Sequence, residues 1–267
     1  MATLPIKEAP RSTLAEVCRL LRLPAIPGAS RVELEFLHRR VKAGSRLCSQ
    51  GEPLEALFVI RSGCIKTFVN DECGNQVVVG FPMNGELIGA DGLCDRTYAC
   101  YAVALNDVEV AVIPFRALAT LGRSLDDFEL LLYRAISREL VAEHALRSVI
   151  GSLRAEARVA RFIAQHAEKV RLQGARADRF TLPMTRQEIG SYLGLTLETV
   201  SRSFSGLHDA GLINVTQRDV VILDLLQLKT LQKLPTSREP GKPAVRRVAP
   251  RTVRRNVTWT EMLGAVV

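Results

Sequence analysis

The stretch 184–214, MTRQEIGSYLGLTLETVSRSFSGLHDAGLIN, constrains this chain more than any other, because it writes two short capped helices on either side of one glycine. Thr185 stands at a capping position with Glu188 three residues on, the reciprocal pair that satisfies free amides at a helix start. A first helix is therefore expected over residues 185–193. Gly194 can take the left-handed conformation that closes it. Thr196 can cap a second helix, whose apolar positions Val200, Phe204 and Leu207 recur at spacings of three and four. The pattern is a helix-turn-helix.

In such a unit the first helix lies across the DNA backbone and the second enters the major groove with its N-terminal residues facing base edges. Glu198, Ser201 and Arg202 follow one another at helical spacing and project from one face, while Val200, Phe204 and Leu207 face inward. The chemistry suits readout: Arg forks onto guanine O6 and N7, Glu accepts from the cytosine amine, and Ser adapts to either partner. Thr185, Arg186, Thr196 and Thr199 flank these three as candidates for backbone or flanking contacts. Taken alone, the same residues equally describe an ordinary capped helix pair with a solvated polar face.

Charge is placed unevenly along the chain. Residues 1–150 hold 17 Lys/Arg against 18 Asp/Glu, and residues 151–267 hold 19 against 10. The basic half contains the helix-turn-helix, and positive charge there supplies sequence-independent affinity for phosphate by releasing counterions. Most of that excess sits in the segment from Lys233 onward, with 8 basic residues against 2 acidic, so the helix-turn-helix domain itself is only mildly basic. With Pro235, Pro240, Pro243 and Pro250, residues 233–267 read as a disordered arm that either adds DNA or RNA affinity or is a solvated extension.

The rest of the chain divides by texture. Residues 1–30 form an N-terminal segment with one helical patch, LAEVCRLLRL, broken by Pro24, Pro27 and Gly28. Ser30 is expected to cap a short helix, RVELEFLHRRV. From Lys42 to Phe115 brief apolar runs such as ALFVIRS, CIKTFVN, QVVVGF and VEVAVIPF alternate with glycines, which argues for an antiparallel β-roll or barrel within residues 31–123. Residues 124–153 return to a helical period without Pro or Gly before Gly151. Phe128, Leu132, Ala135, Glu139, Ala142, Leu146 and Val149 lie on a heptad seam there, and Leu131, Ile136, Leu140 and Ala145 form a second apolar edge. A helix with two apolar edges wants two partners: the seam pairs two copies and the other edge packs on the roll, unless the whole helix is buried within one subunit. Glu139 would meet its symmetry mate on such a seam, where like charges weaken the dimer. Residues 154–232 then hold a further helix, the helix-turn-helix, and a hairpin of LINV and VVILD behind it, a winged arrangement.

The order β-roll, long helix, winged helix-turn-helix resembles the bacterial Crp/Fnr superfamily of transcription regulators over about residues 37–228. The most specific parts are FVIRSGCIKTF, NGELIGADGL and LPMTRQEIGSYLGLTLETVSRSFSGLHDAGLI. The last is similar to the fumarate and nitrate reduction regulator branch. The resemblance implies an α+β fold with a cyclic-nucleotide-binding-like jelly roll, and an E-x-x-S-R reading pattern falling on Glu198, Ser201 and Arg202. It implies a homodimer on an inverted repeat of the TTGAT-N4-ATCAA type, contact with RNA polymerase for activation, repression by occupancy at some promoters, and target genes of respiratory or low-oxygen metabolism.

The input end departs from that family. Oxygen-sensing members hold a 4Fe-4S cluster on an N-terminal cysteine cluster and one cysteine just before an I-P-F segment; here only Cys18 lies in the N-terminal region, and Ala111 precedes Val112-Ile113-Pro114-Phe115. Four thiolates are needed, so the cluster is disfavoured. Cyclic AMP binders use a Glu within G-E-L-G and an R-S/T-A run; here the corresponding residues are Gly89-Ala90-Asp91-Gly92 and Tyr98-Ala99-Cys100, so that ligand is disfavoured too. No cofactor or metal is expected. Cys18, Cys48, Cys64, Cys73, Cys94 and Cys100 contain no C-x-x-C pair and read as reduced thiols; those of the roll are either small apolar residues or a thiol sensor or part of an unfamiliar metal site.

Enzymatic chemistry has no motif to stand on: there is no H-E-x-x-H, G-x-S-x-G, P-loop or dinucleotide fingerprint, and His38, His144, His166 and His208 are scattered. Without an apolar signal core or a run of eighteen apolar residues, a cytoplasmic protein without membrane contact is expected. The alternative to a regulator is an effector-binding or interaction module whose helix-turn-helix no longer reads DNA.

Overall fold

The computed structural model describes residues 10–24, 34–118 and 128–231. The expected cap at Ser30 and the basic segment from Lys233 lie outside the described residues. Two antiparallel sheets form the first domain. One has the order β1-β2-β9-β4-β7, with β1 at Arg11–Thr13, β2 at Glu35–Val41, β4 at Ala56–Ser62, β7 at Leu87–Ile88 and β9 at Val108–Pro114. The other has the order β3-β8-β5-β6, with β3 at Arg46–Cys48, β5 at Ile65–Asn70, β6 at Gln76–Gly80 and β8 at Tyr101–Ala104. Their inner faces share a core that includes Phe36, Leu57, Ile60 and Ile65. This is the β-roll that the alternating runs announce.

The N-terminal segment completes that roll. Strand β1 pairs with β2, and helix α1, Leu14–Leu20, opens on a capping box of Thr13 and Glu16. Its Leu14, Val17 and Cys18 are buried in the roll's core.

One expected element is wrong. RVELEFLHRRV reads as a helix, yet residues 35–41 form β2, held between β1 and β9. The apolar residues of that run fit both periods. Pairing decides: Phe36 and Val41 are buried on the strand's inner face, while Leu37, which a helical stripe would bury, is half exposed. Ladder partners on both sides outweigh local propensity.

Helix α2 runs over Phe128–Ser152, and α3 over Ala155–Leu172. Strand β10, Arg179–Thr181, leads to α4, Arg186–Leu193, and α5, Leu197–Asp209. The hairpin of β11, Ile213–Thr216, and β12, Asp219–Ile222, joins β10 in a small sheet of order β10-β12-β11. A short helix α6, Leu225–Leu231, follows, with Leu228 buried in the same core.

The seam on α2 is placed differently from its reading. Ala135 is buried in the roll's core, and the cavity against the roll is lined both by Glu139 and Leu146 of the seam and by Ile136 and Leu140 of the second edge, so α2 turns parts of both edges to the roll. The large apolar residues turned outward are Tyr133 at 61% exposure, Leu140 at 52% and Val141 at 63%. Both edges of this helix are apolar, so its period could not say which parts the roll would take. The side chains of Phe128, Leu132, Ala142 and Val149 lie outside the described residues.

Candidate nucleic-acid interface

The two reading helices are built as their caps prescribe. Thr185 Oγ1 accepts from the Glu188 amide at 3.2 Å, and the Glu188 carboxylate accepts from the Thr185 amide at 2.7 Å. Gly194 closes α4 with φ +64°, the left-handed value that glycine takes without strain. Gly190 matters for closeness instead: a Cβ there would stand 2.6 Å from the Leu195 carbonyl oxygen, so only glycine lets the turn fold back on α4. Thr196 caps α5 by accepting from the Thr199 amide at 3.2 Å, and the two hydroxyls lie 2.8 Å apart. Val200, Phe204 and Leu207 are buried beneath α5.

Glu198, Ser201 and Arg202 are brought together on the exposed face of α5. Arg202 Nη2 donates to Glu198 Oε1 at 2.5 Å, one helical turn away, and the two side chains are 79% and 72% exposed. Ser201 Oγ donates to the Leu197 carbonyl at 2.9 Å. A pair this exposed contributes only about 0.3–0.5 kcal/mol, so its partners are released for base edges at little cost. Thr185 and Thr196 spend their side chains on capping, and the Thr199 hydroxyl lies against that of Thr196.

Arg186 is the exception among the flanking residues. Its guanidinium lies over the Phe204 ring, 3.1 Å from the centroid, and Nη2 donates to the Gln217 carbonyl at the wing's tip at 3.3 Å. Burial alone lowers its pKa to about 10, and Nη1 has no partner. It therefore holds the wing to the recognition helix rather than presenting its charge outward. Arg218 secures the same turn from the other side, donating to the Pro183 carbonyl at 3.1 Å. No capping or periodic signal marks Arg186 for this task; its first-turn position in α4 alone suggests an outward one.

The same unit rests on the roll. Phe81 packs edge-on against Phe162 and Tyr192, and Cys64, Val78 and Met83 join the core of the winged domain. His166 is buried there between Phe162 and Phe180, and burial lowers its pKa to about 4, so it stays neutral.

A cavity of about 300 Å³ lies between the roll, α2 and the winged domain. Glu86, Asp91, Glu139 and Glu143 line it, with Lys169 the basic member of that lining. Lys169 is already engaged, donating to Glu86 Oε2 at 2.8 Å and to the Phe81 carbonyl at 3.1 Å. Burial raises the pKa of Glu139 to about 7, helped by the charge of Glu86 and opposed by that of Lys169. Glu139 thus meets acids of its own chain here.

Four of the cysteines, Cys18, Cys48, Cys64 and Cys100, are buried, and Cys73 and Cys94 are exposed. Burial pushes Cys48 and Cys64 up to about 12, and burial together with Asp91 raises Cys100, whose thiol donates to that carboxylate at 3.2 Å. Thiols so placed stay protonated, and the thiolate is the reactive and metal-binding form. Among the described residues no three His, Cys, Asp or Glu gather as a metal site, and no helix is long and apolar enough to cross a membrane.

Known proteins share this plan. A profile of the Crp-like helix-turn-helix domain matches residues 157–231, and one of the cyclic nucleotide-binding domain matches residues 38–124. The chain is similar to the transcriptional regulatory protein btr of Bordetella pertussis, 37% identical over 218 residues that cover 82% of this chain and 90% of the relative. It is similar to the transcriptional activator protein anr of Pseudomonas aeruginosa, 35% identical over 228 residues, 85% of this chain and 93% of the relative. Among solved structures, FixK2 from Bradyrhizobium japonicum superposes with a TM-score of 0.69 at 25% identity, covering 75% of this chain and 99% of that one.

Proposed function

The chain belongs to the Crp/Fnr family of transcription regulators, and on that footing we propose that it acts as a homodimer reading an inverted repeat of the TTGAT-N4-ATCAA type. The carrying observation is the exposed trio Glu198, Ser201 and Arg202 on one face of a capped α5, in the order that the branch uses for base readout. The dimer pairs along α2, whose outward residues Tyr133 and Val141 supply an apolar strip. A two-fold axis along that helix presents two recognition helices to major grooves about 34–36 Å apart. Bound there in the cytoplasm, the dimer activates respiratory or low-oxygen genes by touching RNA polymerase and represses where occupancy alone blocks a promoter. The relative named an activator supports the first of these.

The signal enters by a route other than the two that the family is known for. A 4Fe-4S cluster needs four ligands; Cys18 is packed in the roll's core and Ala111 is fully buried in β9, so the residues present do not fit it. Cyclic AMP fits no better. The cavity beside Gly89 and Asp91 is lined by four acids, and its lysine is paired with Glu86, so a phosphodiester would meet net negative charge.

Electrophoretic shifts at about 0.15 M salt test the reading. The palindrome is expected to bind at least about 10³-fold more tightly than a duplex with scrambled half-sites. Equal affinities would leave an effector-binding or interaction module. Cyclic AMP is expected to leave Tm unmoved, since a ligand specific to the native state must raise it.

A further inference from the structure

Helix α4 carries more than its packing against α5. Ser191 Oγ accepts from the Val78 amide at 2.9 Å and donates to the Gln76 carbonyl at 3.4 Å. Strand β6 is the outer strand of its sheet, with main-chain groups that no neighbouring strand takes; a hydroxyl from the DNA-binding domain takes two of them. Beside it, Lys66 Nζ on β5 donates to Glu188 Oε1 at 2.9 Å and to Gln76 Oε1 at 3.3 Å. The Lys66 and Glu188 side chains are only 14% and 19% exposed. Farther along, Lys169 on α3 bonds Glu86 and the Phe81 carbonyl on the roll.

These contacts matter because the covalent link cannot orient the domain by itself. Helix α2 ends at Ser152 and α3 begins at Ala155, with Arg154 between them in extended conformation at ψ 157°. Arg158 pins this joint to α4, donating to the carbonyls of Leu153 at 2.9 Å and Leu193 at 3.2 Å. A single pinned joint still leaves rotation about one point. The apolar contact of Phe81, Val78 and Met83 with the winged domain limits that rotation, and the directional polar contacts to the roll fix its register.

We propose that Lys66 and Ser191, with Lys169, are positioning residues for operator recognition: they clamp the reading unit to the β-roll and thereby set the spacing between half-sites that the dimer accepts. The clamp rests on the inverted-repeat reading above. None of its members touches Glu198, Ser201 or Arg202, so it acts on where the reading face is held and leaves its chemistry alone. One base pair more or less between half-sites displaces the second by about 3.4 Å and turns it by about 35°, given a helical turn of about 10 pairs in 34–36 Å. A reading head whose register on the roll is fixed by directional bonds resists that change; one resting on the apolar contact, which is not directional, slides to meet it.

The experiment compares dissociation constants on palindromes with spacers of three, four and five base pairs, for wild type, Lys66→Ala/Ser191→Ala and Lys66→Arg. Lys66 is the side of the pair to remove, because Glu188 also caps α4. Wild type is expected to lose about tenfold or more on the wrong spacers, the double variant less than about threefold, and Lys66→Arg to keep the wild-type profile. The penalty for one altered base within a half-site should be the same in all three, a readout that general damage to the domain would move. A double variant with the wild-type spacing profile overturns the clamp. Wild type that binds the palindrome no better than scrambled duplex sinks the inverted-repeat reading, and the clamp with it.

Discussion

The reading face and the acid-lined cavity are both clusters of charged and polar side chains, yet they are assembled in opposite ways. On the reading face itself the pairs are local: Thr196 with Thr199 and Glu198 with Arg202, three or four residues apart, the second pair largely in water. Around the cavity the groups come from distant parts of the chain, Glu86 and Asp91 from the roll, Glu139 and Glu143 from α2, Lys169 from α3, and burial raises the pKa of Glu139 among them. A surface built from local pairs keeps its shape wherever its helix is carried. A cavity built across domains changes whenever those domains shift, which is what an input requires.

The sharpest way to break this contrast is to damage the reading unit's core. Phe204→Ala removes a buried ring that also supports Arg186, and should destabilise the winged domain by about 3–5 kcal/mol in chemical denaturation. If probes in the β-roll report the same loss, the two regions unfold as one unit and the contrast is only one of surface chemistry. Next in size, Arg202→Ala and Glu198→Ala should each relax discrimination at one base pair per half-site by about 1–3 kcal/mol while leaving Tm in place. A selection of bound sequences unchanged by both would remove these residues from readout.

On the cavity side the expected effect depends on pH. Glu139 titrates near 7 in the folded chain, above its unfolded value, so the folded state holds an extra proton between about pH 4.5 and 7 and loses stability as pH rises through that window. Glu139→Gln keeps the neutral form. Relative to wild type it should raise Tm by a few degrees at pH 8, where each kcal/mol moves Tm by about 2–4 °C for a chain of this size, and by nothing at pH 4.5. A constant difference across that range would mean that Glu139 does not titrate in this way. The smallest effect belongs to a local pair again: Thr196→Ala should cost about 1 kcal/mol, the worth of one N-cap, without altering which bases are preferred. A change of sequence preference would show that the cap reaches the DNA.

The same division decides what could be read from the amino-acid order. Caps, the Gly194 turn and the inward trio of α5 obey spacings of three and four, so the reading unit is legible residue by residue. The main strands of the roll follow from alternating runs and glycines. Residues 35–41 were not legible, since their apolar positions satisfy two periods and only the ladders of β1 and β9 choose between them. Nor was the side of α2 that meets the roll, because two apolar edges compete. Glu188 could be named as a cap from its neighbour Thr185, but its second partner, Lys66, is 122 residues away and leaves no mark in the order of residues.

The N-terminal segment sets where this protein can be cut. The matched cyclic nucleotide-binding region begins at residue 38, a natural place to start an expressed fragment. Such a fragment would lose β1, part of β2 and all of α1, stripping the cover supplied by Leu14, Val17 and Phe36 from an otherwise closed core. It would also remove the two carbonyls, of Leu21 and Arg22, that Arg138 grips from α2 at 2.6 and 2.7 Å, leaving that guanidinium without these partners. A sticky, poorly behaved truncation is the expected product, and a fragment meant for crystals or screening should begin at or before Pro10.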